Sequence, residues 1–212
     1  MKCKICDTQT VPLEDKQLQK IYFLCPCCEY IFLDENYVVS QDRELSQYQN
    51  HNNSLENIGY VNMFENFIDF FYSEIENPKK AFDFGSGPKP VLSQLFERKG
   101  LTCSIYDKFY ACEKTYQNST YDIITSTEVF EHLGNPLETL RMLKSLLNPQ
   151  GIIAIMTLFH NNSKEDFLNW WYRRDPTHIG FFTPQTFDVL ANICGLEVVK
   201  HDNKRVIVLR HR

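Results

Sequence analysis

The sequence predicts an α/β protein: a doubly wound sheet, mostly parallel with an antiparallel last strand, preceded by a small β segment stapled by metal. Three observations carry that expectation. Short apolar runs such as KAFDF, DIITS and IIAIMTLF alternate with stretches of helical period, as a sheet covered on both faces requires. A glycine turn, Gly85-Ser86-Gly87, joins the first of these runs to a helical stretch. Two CxxC pairs near the start have metal-ligand spacing.

The bulk numbers bound the reading. With 212 residues, 43% of them hydrophobic, the chain buries a real core. A net charge of −5 gives no footprint for non-specific binding of nucleic acid or anionic membrane. No apolar run approaches the ~20 residues that span a bilayer, and MKCKICDTQT lacks an apolar signal core, so a cytoplasmic protein is expected. Five of the eight cysteines fall in the first 28 residues, which favours zinc in a reducing compartment over disulfides.

Residues 1–35 read as a zinc-ribbon-like segment. Cys3, Cys6, Cys25 and Cys28 form two CxxC knuckles that offer four thiolates to a tetrahedral Zn²⁺, with Cys27 as the competitor to Cys28. TVPLED and QKIYFLC read as a hairpin, and YIFL as a further strand. A structural role is the simpler expectation, because a segment this short cannot fold on apolar burial alone. Its lysines and carboxylates balance, so a nucleic-acid partner is not favoured.

Residues 36–54 read as a polar linker turning helical near its end, in which Tyr48, His51, Asn52 and Asn53 stand out. His51 is the weakest of three candidate proton acceptors. From residue 55 a long amphipathic helix, with Ile58, Val61, Ile68, Phe71 and Ile75 at helical spacing, runs to Asn77-Pro78.

The glycine turn then discriminates among nucleotide-type ligands. The phosphate-loop pattern G-x-x-x-x-G-K-[ST] is absent, and G-x-G-x-x-G fails at its third glycine. Asp83, two residues before Gly85, would repel a diphosphate and suits a cation. Asp107 ends the next strand, TCSIYD, where an acid can accept hydrogen bonds from ribose hydroxyls. S-adenosylmethionine combines an amino group, an adenosine and no phosphate.

Residues 55–212 resemble the class I S-adenosylmethionine-dependent methyltransferases, which are Rossmann-like. DFGSGPKP, SIYD, YDIITSTEVFEHL and LLNPQGIIAIMTLF stand for the first, second, fourth and fifth strands with their following turns. The resemblance implies that Asp83, Gly85, Ser86 and Gly87 contact the methionine part, Asp107 the ribose, and Thr127 or Glu128 the cofactor's edge. Lys89 replaces the loop's third glycine, and residues 107–121 are too few for a third strand and helix.

Further on, PLETLRMLKSLL reads as a helix stopped by Asn148-Pro-Gln-Gly151, and Pro184 to about Cys194 as another. LEVVKHD and RVIVLRH read as a hairpin that closes the sheet with an antiparallel strand. Residues 160–183 read as a lid. In it Trp171, Tyr172, Arg173 and Arg174 are candidates to bind the acceptor, through aromatic faces and through pairing with a carboxylate or phosphate. His178 is the leading candidate base and His132 the second. The expected activity is methyl transfer to a small-molecule acceptor. The alternatives are an RNA or protein methyltransferase gripping its substrate with the ribbon, and a non-catalytic cofactor-binding or interaction protein.

Overall fold

The computed structural model describes residues 1–48 and 56–212. His51, Asn52 and Asn53 lie outside the described residues.

The N-terminal hairpin pairs β1 (Val11–Asp15) with β2 (Lys20–Leu24), and β3 (Ile31–Leu33) adds to β2. The two-residue period of β1 puts Leu13 and Asp15 on the same inward face, both 2% exposed, so a carboxylate enters the interior here. In the described part of the expected linker, residues 36–48, the chain forms the helix α1 (Gln41–Tyr48). Next, α2 (Ile58–Tyr72) starts at Asn57, whose side chain caps the Tyr60 amide, and buries Phe64, Phe67, Ile68 and Phe71.

The α/β unit follows as β4 (Lys80–Phe84), α3 (Val91–Arg98), β5 (Thr102–Tyr106), β6 (Tyr121–Thr127), α4 (Pro136–Ser145) and β7 (Leu147–Met156). The lid then forms α5 (Lys164–Asn169), a 3₁₀ turn (Trp171–Arg174) and β8 (Gly180–Phe181). The chain ends with α6 (Pro184–Cys194), β9 (Leu196–His201) and β10 (Val206–His211). The expected helix stop at residues 148–151 becomes part of β7, with a register shift against β6.

The main sheet has the order β5-β4-β6-β7-β10-β9, and β10 runs antiparallel to both its neighbours, as the sequence predicts. Its two faces are set by alternation in β7. Ile152, Ala154 and Met156 pack toward α2 and α3, while Ile153 and Ile155 pack in the cluster that includes α4 and α6. At roughly 1.5–3 kcal/mol for each fully buried large apolar side chain, these layers fix the strand ends that carry the site.

Where a third strand and helix have no room, an aromatic plug covers the sheet. Tyr116 stacks on Phe82 at 4.7 Å and meets Tyr106 edge-on at 5.2 Å.

The structure joins two regions that the sequence reads separately. β8 of the lid pairs with β3, so ribbon and lid form one sheet of order β1-β2-β3-β8. Gly180 makes the join because a Cβ there would sit 2.6 Å from the Tyr30 hydroxyl. Further bonds tie the two: His160 Nε2 lies 3.0 Å from the Glu29 carbonyl, and the hydroxyls of Thr183 and Thr186 donate to the Glu29 carboxylate and the Cys28 carbonyl, each at 2.8 Å.

Candidate active site

A cavity of about 660 Å³ opens beyond the carboxyl ends of β4, β5 and β6, where ligands of such sheets bind. Asp83, Gly85, Ser86, Gly87, Asp107, Thr127, Glu128, His132, Trp171, Tyr172, Arg174 and His178 all line it. The structure therefore gathers most of the candidate residues from five separate stretches of chain.

The inner half is a cradle of backbone and carboxylates. Gly85 holds φ at +89°, and a Cβ there would lie 2.1 Å from Val129 Cγ2, so only glycine fits under the loop after β6. The amides of Gly85 and Ser86 donate to the Tyr106 carbonyl, and the Gly87 amide donates to Asp107 Oδ2 at 3.0 Å. Asp107 Oδ1 accepts from the amides of Phe109 and Tyr110, which orients the carboxylate across the mouth of β5. Asp83 is 2% exposed; burial pushes its carboxyl up to about 7, partly offset by a 3.0 Å hydrogen bond from Thr125.

Charge narrows the ligand class. Among the lining residues only Lys108 and Arg174 carry a fixed positive charge, against Glu44, Asp83, Asp107, Glu128, Glu131 and Asp175. Lys108 is neutralised by Glu44 at 2.6 Å. Acidic side chains thus outnumber basic ones around the cavity, which disfavours a polyphosphate.

Beyond the cradle, Glu128 and Glu131 approach each other under Tyr172, whose hydroxyl donates to Glu131 Oε1 at 2.5 Å and to Glu128 Oε2 at 3.3 Å. Burial, followed by the neighbouring Glu131, pushes Glu128 up to about 8. Burial raises Glu131 as well. Glu128 sits at φ +53°, a strained conformation that turns its side chain out of β6 toward the cavity.

His132 and His178 form the outer wall, their rings 4.8 Å apart. His132 Nδ1 lies 2.9 Å from the Thr177 carbonyl and His178 Nδ1 lies 2.8 Å from the Tyr172 carbonyl. A carbonyl only accepts, so each Nδ1 carries the hydrogen and each Nε2 the lone pair in the neutral ring. Burial lowers the His132 pKa and keeps that ring neutral. Glu131, His132 and His178 each bring one possible ligand atom within 4.8 Å of the others.

Arg173 requires a correction. Although flanked by the cavity residues Tyr172 and Arg174, it faces away, 1% exposed, with Nη1 3.3 Å from Asp15 Oδ2 of β1. Its Nη2 donates to Gln17 Oε1 at 2.8 Å and to the Leu168 carbonyl. The 3₁₀ turn explains the split, because rotation of about 120° per residue sends successive side chains in different directions. Trp171 is 63% exposed at the rim, and Arg174 is exposed with no ion-pair partner among the described residues.

Sequence reasoning expected a helical turn near the end of the linker and singled out Tyr48, but did not show that α1 borders the cavity. Tyr48 meets His132 edge-on at 5.3 Å and Phe109 at 5.9 Å, and its hydroxyl donates to Glu44. A Glu–Tyr pair four residues apart in a polar helix was the available signal.

The four candidate metal ligands converge away from the cavity. Cys3 and Cys28 sulfurs are 3.5 Å apart and those of Cys6 and Cys25 3.4 Å, while Cys27 is exposed. Amides of Ile5 and Cys28 donate to Cys3 and Cys25 sulfur. Hydrogen bonding from Cys28 holds Cys3 down at about 5, whereas burial pushes Cys25 up to about 11. Four sulfurs drawn this close, with amides aimed at them, fit a tetrahedral ion.

Comparison with known proteins agrees with this geometry. A family model described as "Methyltransferase domain" matches residues 58–201. The ubiquinone biosynthesis O-methyltransferase of Colwellia psychrerythraea (strain 34H / ATCC BAA-681) is 30% identical over 89 residues, covering 42% of this chain and 35% of that protein. Among solved structures, the mitomycin 7-O-methyltransferase superposes with TM-score 0.55 at 13% identity, over 81% of this chain and 59% of that one. An O-methyltransferase family protein from Burkholderia thailandensis gives 0.56 at 12%, over 79% and 62%. An O-methyltransferase from neocarzinostatin biosynthesis, solved with S-adenosyl-L-homocysteine and 1,4-dihydroxy-2-naphthoic acid, gives 0.54 at 12%, over 84% and 63%. The chain thus spans about a third of the curated relative and about three fifths of these solved chains.

Proposed function

The chain belongs to the methyltransferase-domain family of class I S-adenosylmethionine-dependent enzymes, and on that premise we propose that it methylates a hydroxyl oxygen of a small-molecule acceptor. The observation that carries the choice of oxygen is the imidazole pair His132–His178, with its Nε2 lone pairs, opposite the cradle. A hydroxyl, unlike a neutral amine, needs a base before it attacks at neutral pH.

Each residue then has a role. Asp83 and the Gly85–Gly87 backbone hold the methionine part, Asp107 accepts from the ribose, and Thr127 and Glu128 border the reacting end. Bound S-adenosylmethionine supplies a methyl group on a sulfonium, open to in-line displacement. His178 Nε2 would take the proton of the acceptor's hydroxyl, whose oxygen would accept the methyl group that the bound cofactor supplies. His132 backs the His178 ring, and Tyr172, Trp171 and Arg174 bound the acceptor space. Closure of this space against water and alignment of the two reactants supply the rest of the rate.

The cysteine cluster holds a structural zinc on this reading, since none of its ligands lines the cavity. Nothing in the ribbon's charge favours a macromolecular acceptor: Lys2 pairs with Asp7 and Lys4 with Glu35.

The test is calorimetric titration of the zinc-loaded protein with S-adenosylhomocysteine, NAD and ATP, followed by turnover on a panel of hydroxy-aromatic compounds. Binding of the S-adenosyl ligand alone, with ether products, supports the proposal; NAD binding in its place sinks it. His178→Ala is expected to keep the ligand affinity and slow turnover by ~10²–10⁴.

A further inference from the structure

Arg173 sits on the far side of the lid from the cavity, yet its peptide bond reaches the proposed base. The Tyr172 carbonyl that orients His178 Nδ1 at 2.8 Å lies in the peptide plane shared by Tyr172 and Arg173. Arg173 itself, the residue on the far side of that peptide bond, is held from the ribbon. The Arg173 carbonyl accepts from Tyr22 Oη at 3.5 Å, and its guanidinium meets Asp15 at 3.3 Å and Gln17 at 2.8 Å. Asp15, Gln17 and Tyr22 all belong to the β1–β2 hairpin or its turn.

The ion pair is an unusual investment for a mere fastening. Both side chains are at most 2% exposed, and Arg173 Nε and Nη1 and Asp15 Oδ2 have no hydrogen-bond partner. A buried pair of imperfect geometry is poor stabilisation compared with an apolar contact. What it does provide is a fixed location for Arg173, next to Tyr172, whose own side chain is held by Glu131 and by the His178 ring. The other flank of His178 is tied in the same way: Ile179 donates to the Glu131 carbonyl at 2.7 Å, and its own carbonyl accepts from Leu33 of β3 at 2.9 Å.

We propose that Arg173 is a positioning residue, and that through it the ribbon sets the tautomer and orientation of His178. The proposal rests on His178 being the base, but its test needs neither acceptor nor turnover. The Asp15–Arg173 pair holds the Tyr172 carbonyl against His178 Nδ1, and so keeps the lone pair on Nε2. His132 has a separate anchor in the Thr177 carbonyl, set by the Asp175 turn, and serves as the internal control.

The experiment is long-range ¹H–¹⁵N NMR of ¹⁵N-histidine-labelled, zinc-loaded full chain. It compares wild type, Arg173→Lys, and the uncharged double variant Asp15→Asn/Arg173→Gln, which leaves no lone buried charge. In wild type, His178 is expected as a single Nδ1–H tautomer. In the double variant its two ring nitrogens are expected to average, with His132 unchanged. Affinity for S-adenosylhomocysteine should hold within about twofold, as for independent sites. Arg173→Lys keeps the charge, is expected to fold, and should give an intermediate spectrum. A single unaltered His178 tautomer in both variants, with zinc retained, overturns the proposal and leaves Arg173 as a fastening only. Absence of S-adenosylhomocysteine binding in wild type would instead fault the functional reading and leave the tautomer result standing.

Discussion

The proposed cofactor cradle comes from one continuous run, residues 81–87, and the ends of β5 and β6, whereas the proposed acceptor wall gathers Tyr48, His132, Tyr172 and His178 from three separated segments. The cradle stores its geometry in backbone conformation above an apolar core. The wall stores it in polar contacts that cross from the lid to the ribbon, among them Arg173–Asp15, Thr183–Glu29 and β8–β3. The two halves therefore differ in their polar supports, although the buried cysteines, Tyr30 and Phe32 share one apolar cluster with Phe82, Phe84 and Phe130. The cradle should fail by local strain, and the wall by loss of the zinc proposed for the cysteine cluster.

Removing the metal tests this contrast most severely. Structural zinc in small domains contributes ~10–16 kcal/mol of apparent binding free energy. Strong chelation, or Cys25→Ser, is expected to drop the thermal midpoint and expose lid amides to hydrogen exchange. The amides of β4 and β6 should stay protected and S-adenosylhomocysteine should still bind. If binding collapses together with the lid, the two halves are one cooperative unit and the comparison breaks.

Gly85→Ala strikes the opposite half. The positive φ and the 2.1 Å approach to Val129 Cγ2 predict about 2–4 kcal/mol of destabilisation, combining backbone strain with overpacking. Ligand affinity should be lost while zinc content, read by metal analysis, stays at the wild-type level. Asp107→Ala is milder. It releases the Gly87, Phe109 and Tyr110 amides and removes a charged acceptor, which is expected to weaken S-adenosylhomocysteine by ~10–100-fold. Calorimetry on the folded variant measures it.

The smallest effect is the pH dependence, and its sign follows from Asp83. Burial raises this carboxyl from 3.8 to about 7, so the folded-state contribution is fully present below pH 4 and is lost as pH rises through 7. A ligand ammonium prefers the ionised form. S-adenosylhomocysteine affinity should therefore increase between pH 6 and pH 8, by at most about tenfold per pH unit below 7. Asp83→Asn should flatten that part of the profile, and an unchanged slope would assign it to Glu128 instead.

Much of the cradle is legible along the chain. Strand, glycine turn and helix each have a local signature, and Asp83 and Asp107 are adjacent to strand ends that periodicity locates. Cys3, Cys6, Cys25 and Cys28 are likewise set by spacing, and the sulfurs meet as that spacing implies. The antiparallel strand β10 follows from a short turn at Asn203, which adopts φ +59°. None of these features needs a partner far away in sequence to be recognised.

The wall is legible only in part, because its decisive contacts join residues far apart in sequence, such as Asp15 with Arg173 and Tyr48 with His132. Arg173 and Arg174 are the same residue type side by side, and nothing local says that one meets a buried carboxylate while the other faces the cavity rim. Asp15 reads as an ordinary turn residue until β1 turns it inward. Tyr48 reads as part of a linker until it packs on His132. Composition, motif spacing and periodicity determined the doubly wound sheet, the cysteine cluster and the glycine turn after β4. Tertiary structure decided which lid side chains face the cavity and that the ribbon shares the lid's sheet, because a 3₁₀ turn and a two-residue strand leave no periodic trace and take their orientation from what packs against them.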